Sequence, residues 1–187
     1  DAVTTLKEVM GWAKYDDEQQ EDPELFKGES GFAIKEVGGE PWLYAWASNA
    51  FLDRDREHFS TKGLERDVER DQGGTFNFWH IPGTDFAEKR TRQVVGRFLF
   101  EAGPFTDTEM GRKAREFFVE HPGGHPDLAP KGWGCSVEFR YAPGEKDTGT
   151  FEHFEIVRTS ILPLHKAANV WTSMEVKMAN TEEQKAA

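Results

Sequence analysis

Ser136 and His80 are the residues on which a reaction could be built. Ser136 opens the strand-like stretch CSVEFRY, directly after the glycine-flanked turn Gly132-Trp133-Gly134. A hydroxyl is a weak nucleophile until a base takes its proton in the transition state. Histidine is the usual base because it titrates near neutrality. His80 ends an alternating aromatic stretch, TFNFWH, just before Pro82-Gly83. Strand ends at a sheet rim hold a side chain rigidly and keep it reachable, so the pair points to nucleophilic acyl transfer. By residue type alone the two read equally as a strand-edge serine and a hydrogen-bonded core histidine.

Other reactive residues carry less. Cys135 adjoins Ser136 and must point to the opposite face of the strand, where it reads as a buried, inert thiol. His121, His125 and Asp127 are zinc-type ligands. The prolines and glycines of HPGGHPD deny them helical spacing, so no metal is expected. Residues 53–57 (DRDRE) start like a calcium loop, but His58 stands where the sharp turn needs glycine. There is no glycine-rich phosphate loop and no G-x-S-x-G elbow. No cofactor is expected.

The elements that must position the pair follow from periodicity. Residues 41–50 (PWLYAWASNA) read as a strand, with Trp42 and Trp46 on one face. Ser60 or Thr61 can cap a helix carrying Leu64 and Val68, although Gly63 disfavours it. Residues 75–80 form a strand with Phe76, Phe78 and His80 on one face and Asn77 on the other. Residues 92–101 form a further strand, with Gly96 marking a bulge or close approach. Asp107 or Thr108 caps a helix to about His121, whose Met110, Ala114, Phe117 and Phe118 make an apolar stripe. Residues 135–141 and 150–162 pair as an antiparallel hairpin across the turn APGEKDTG. The order implies an α+β class: a mostly antiparallel sheet or small barrel flanked by helices. Residues 1–39 read as a partly irregular arm, 40–172 as the folded domain and 173–187 as a charged tail.

Composition narrows the functions. The chain has 187 residues, enough for one domain. Only 37% are hydrophobic, but 15 Phe and 6 Trp supply large buried areas. The net charge of −11 argues against a nucleic-acid binder, which needs a basic face. No apolar run approaches the roughly 20 residues of a membrane span, and no secretory signal pattern is seen. One cysteine leaves no disulfide within the chain, which makes a cytoplasm the default compartment. A start at Asp1 rather than Met reads as a fragment or a processed product.

Residues 45–169 resemble the caudovirus prohead serine proteases, relatives of the herpesvirus assemblins. The matching pieces occur in order. They are the acidic loop Asp53-Arg54-Asp55-Arg56-Glu57, Phe78-Trp79-His80 before Val94-Val95-Gly96, and Thr106-Asp107-Thr108 with Gly111-Arg112-Lys113-Ala114. After these come the nucleophile strand Gly134-Cys135-Ser136-Val137-Glu138-Phe139 and the closing Thr159-Ser160-Ile161-Leu162 with Ala168-Asn169. The resemblance implies a herpesvirus-protease-like fold and a serine endopeptidase with Ser136 as nucleophile and His80 as general base. It implies cleavage of scaffold and major capsid protein precursors during bacteriophage prohead maturation, inside the procapsid in the host cytoplasm. Self-association and processing of its own ends belong to the same picture.

The chain departs from that pattern where a third catalytic member is expected. Arg158 stands in place of a glutamate, and Glu138 in place of a glycine. His153 or Glu155, on the strand returning from Ser136, is the expected substitute: the first gives Ser-His-His, the second Ser-His-Glu. An oxyanion hole of backbone N–H groups, with Arg140 or Arg158, stays unplaced. The rival readings are a catalytically inactive protease-like assembly or scaffold protein, and a binding module for sugar or peptide.

Overall fold

β1 (Trp42–Asn49) carries apolar side chains on both faces and buries both. Leu43, Ala45 and Ala47 enter the main core, while Trp42, Tyr44 and Trp46 cluster with Phe100 and Ala102 on the other side. The computed structural model describes residues 41–177 except 71, 122, 170 and 171. The expected arm at 1–39, and 178–187 of the expected tail, lie outside the described residues.

The described strands form two four-stranded sheets and one short parallel pair. The first sheet has the order β10 (Ser173–Lys177), β1, β6 (Phe98–Pro104), β5 (Thr91–Val95), all antiparallel. The second has the order β4 (Ala87–Glu88), β3 (Thr75–Phe78), β9 (Phe154–Pro163), β7 (Trp133–Tyr141). In it β3 runs parallel to β9 and the other pairs are antiparallel. β2 (His58–Phe59) and β8 (Thr150–Phe151) form the parallel pair. With helices α1 (Thr61–Arg70), α2 (Glu109–Glu120) and the short α3 (Glu145–Thr148), the fold is α+β and mostly antiparallel. The sheets are open; the described strands close no barrel.

Several expected boundaries move. Residues 92–101 are the hairpin β5–β6, because Gly96 takes φ 58° and turns the chain. The returning strand begins at Phe154, since 150–151 leave it to pair with β2. Residues 173–177, expected in the tail, pair with β1, and Met174 is buried. Gly63 belongs in α1 because a Cβ there would stand 2.5 Å from the Phe154 ring.

α2 is capped by Thr108, whose Oγ1 accepts from the Gly111 N–H at 3.0 Å. Its Phe118 packs on Phe78, Phe86 and Trp133. It therefore grips the end of β3 and the start of β7, the two places from which His80 and Ser136 project.

Behind β9 lies a buried ionic cluster. Glu101 on β6 accepts from Lys89 Nζ (3.1 Å), Arg92 Nε (2.9 Å) and Thr159 Oγ1 (2.5 Å). Arg92 also meets Asp67 of α1 at 2.5 Å. Burial pushes the Glu101 carboxyl up, but Lys89 and Arg92 outweigh it and hold its pKa below the usual carboxylate range. Thr159 precedes Ser160, so the cluster anchors β9 from the face opposite the one Ser160 occupies. Removing one partner leaves an uncompensated buried charge. Lys89→Met is expected to lose about 3 kcal/mol of stability, the low end of the range because Arg92 still faces Glu101. Urea unfolding of both proteins measures this; an unchanged midpoint would contradict it.

Candidate active site

Across the second sheet three polar residues stand in one row. Ser160 of β9 is the register partner of Ser136 on one side and of Asn77 on the other. Register partners point to the same face, so all three project from one face of the sheet. Ser160 and Asn77 are fully buried, and Ser136 is half-buried.

His80 reaches this row through a strained turn. β3 stops at Phe78, two residues before the expected end. Trp79 (φ 48°) and His80 (φ 56°) are both left-handed, and the Ile81 N–H donates to the Phe78 carbonyl at 2.8 Å. This is a type I′ turn, for which glycine or asparagine is usual. Each such residue costs roughly 1–3 kcal/mol and persists only where its surroundings fix it. Here the His80 N–H donates to Ser160 Oγ at 2.8 Å, and Thr84 Oγ1 ties the Phe78 N–H to the Ile81 carbonyl. The turn swings the imidazole off the Phe76–Phe78 face, where alternation placed it, onto the face of Asn77.

His80 Nε2 lies 3.0 Å from Ser136 Oγ, and its Nδ1 lies 3.0 Å from Ser160 Oγ. Ser160 Oγ also donates a short hydrogen bond to Asn77 Oδ1. One hydroxyl donates once, so Ser160 must accept from Nδ1–H. Nε2 then carries the lone pair and faces the Ser136 proton, which is the tautomer a general base needs. Asn77 Nδ2 has no partner among the described residues. Partial enclosure of the ring lowers the His80 pKa; the Glu138 carboxylate opposes this. The ring is therefore held neutral more readily than a free imidazole. Glu138→Gln removes the opposing charge. It is expected to move the acid limb of the rate profile, which follows His80 titration, to lower pH, with the plateau retained.

The expected third members lie elsewhere. Glu155 pairs in register with Arg140 and sits 3.5 Å from its guanidinium, about 16 Å along β9 from Ser160. His153 Nδ1 contacts Glu145 Oε1 at 3.1 Å in the hairpin turn. Neither orients His80, because both belong to the far end of the hairpin; Ser160 stands at Nδ1 instead. Arg158 contacts Glu138 (3.1 Å) and Asp85 (3.5 Å). Cys135 is fully buried in the core, and burial pushes its thiol pKa far up, which suppresses the thiolate. His125 Nδ1 accepts from the Asp127 and Leu128 N–H groups. Among the described residues no three His, Cys, Asp or Glu cluster as a metal site would require. No helix is long and apolar enough to cross a membrane among the described residues.

β7 is an edge strand of its sheet. A cavity of about 190 Å³ runs beside that edge, and Ser136 forms part of its wall. No family model and no curated protein sequence matches this chain.

Proposed function

We propose that the chain is a serine endopeptidase in which Ser136 attacks a peptide carbonyl and His80 first takes and later returns the proton. The observation that carries this is the 3.0 Å contact of His80 Nε2 with Ser136 Oγ, with Nδ1 held by a second hydroxyl. A hydrogen-bonded nucleophile and base, with the base oriented by a third group, is the arrangement acyl transfer requires. An edge strand that carries the nucleophile suits an extended peptide, which can add as a further strand beyond Cys135, whose own N–H and carbonyl are taken by Thr172 Oγ1. Trp79 and Ile81 flank His80 and are 48% and 50% exposed, apolar surface that such a peptide would cover.

With the sequence resemblance, the reading becomes a prohead maturation protease in a herpesvirus-protease-like fold. Its substrates would be scaffold and major capsid protein precursors inside the viral procapsid. A catalytically inactive assembly protein is the second reading. It is favoured by one observation: among the described residues a serine, and no carboxylate, stands at His80 Nδ1.

Treatment with an alkyl fluorophosphonate separates the two. In the active protein Ser136 Oγ forms a bond to phosphorus, fluoride leaves and His80 takes the proton. Mass mapping is expected to find the adduct on Ser136. A protein that stays unlabelled, or labels elsewhere, overturns the endopeptidase.

A further inference from the structure

The cavity beside Ser136 has a chemical character that the hydrolytic pair does not need. Phe59, Phe139 and Phe151 give it an aromatic lining. Asp53, Asp55 and Glu57 also line it, and among the described residues neither lysine nor arginine does. A liquid water occupies roughly 30 Å³, so 190 Å³ has room for a long side chain.

Two cations of this region are already engaged. Arg54 Nη1 donates to the carbonyls of His165 (3.1 Å) and Ala167 (3.3 Å). Lys146 is committed to Glu57 through a short contact. Asp53 is half-buried, and its Oδ1 is fixed by the N–H groups of Asp55 (2.8 Å) and Glu57 (3.0 Å). Burial, with the charges of Asp55 and Glu57, raises its pKa against the two N–H bonds that lower it. A lining of aromatic rings and carboxylates matches a side chain with an apolar stem and a charged head.

We propose that this cavity is the specificity pocket of the hydrolase and takes a lysine or arginine side chain of an extended peptide, its cation meeting Asp53 and Asp55. The proposal rests on the reading of Ser136 and His80 as a hydrolytic pair.

Aryl phosphonate probes test it on the full chain. Lysyl and norleucyl diphenyl phosphonates have stems of the same length and differ in the charged head. Each forms a phosphorus–oxygen bond to Ser136 as phenoxide leaves. The lysyl probe is expected to label roughly threefold faster, about 0.7 kcal/mol, because Asp55 is exposed and Asp53 only half-buried. In Asp53→Asn, which keeps the Oδ1 acceptor, and in the exposed Asp55→Asn, that ratio is expected to fall towards one. Normalising to the alkyl fluorophosphonate rate of each variant removes any change in the reacting groups. If the fluorophosphonate labels Ser136 and the two amino-acid probes react equally, the pocket assignment is wrong and the hydrolase stands. If none of the three reacts, both are wrong.

Discussion

His80→Ala is expected to slow fluorophosphonate labelling of Ser136, and hydrolysis of a peptide ester, by about 10⁴-fold. The magnitude follows from the geometry. The Ser136 hydroxyl sits near the start of an edge strand with His80 Nε2 at 3.0 Å as its acceptor. Without the imidazole, water must take the proton, and oriented general-base catalysis is lost. Residual activity from binding and oriented dipoles stays equal in Ser136→Ala and the double variant, because residues that act as a unit are not additive. His80 is exposed, so its truncation should leave the fold intact, although alanine keeps the Cβ and with it the left-handed strain of the turn. Thermal unfolding should therefore change little while activity collapses. Parallel loss of both would make His80 a structural residue instead.

The elements were more legible than the site, and the reason is physical. The stripe Met110, Ala114, Phe117, Phe118 and the cap Thr108 produce α2 at nearly the expected bounds, because long periodic segments carry their own signal. Strand patterning likewise located β1 and β7. What alternation missed was a change of face. A period of two places His80 with Phe76 and Phe78; two consecutive left-handed residues, neither glycine, send it to the other side. Nothing in Trp79-His80 announces that, since the conformation is imposed by Ser160 and Thr84 from outside the turn. The partner of His80 was hidden for a different reason. A search for a charged orienting group finds Glu155 and His153, whereas the group present at Nδ1 is a neutral serine backed by a neutral asparagine. The one available signal was Asn77 itself: a polar residue inside TFNF needs a reason to be buried, and here the reason is a hydrogen bond to Ser160.

That neutral relay makes a sharp prediction. Ser160→Ala is expected to lower kcat on the order of 10³-fold while KM changes little, because it removes the acceptor that fixes Nδ1–H and frees the ring to take the wrong tautomer. Packing alone would not do this: the change deletes one hydroxyl from a row already held by the β3–β9 and β9–β7 ladders. A structural role would move stability and leave the tautomer alone, so ¹⁵N spectra of His80 decide between them. The wild-type ring should be protonated at Nδ1, and the variant should be a mixture. Asn77→Asp tests the direction of the relay. An aspartate can only accept, as Asn77 Oδ1 does now, so the Ser160 hydroxyl should still point to it and activity should survive. Its charge should raise the His80 pKa and carry the acid limb of the pH profile upward, opposite to Glu138→Gln. Asn77→Leu removes the acceptor, lets the Ser160 proton turn to Nδ1 and should resemble Ser160→Ala. If instead Asn77→Asp and Asn77→Leu were equally active, the asparagine would have no part in setting the tautomer, and Ser160 would act on His80 alone.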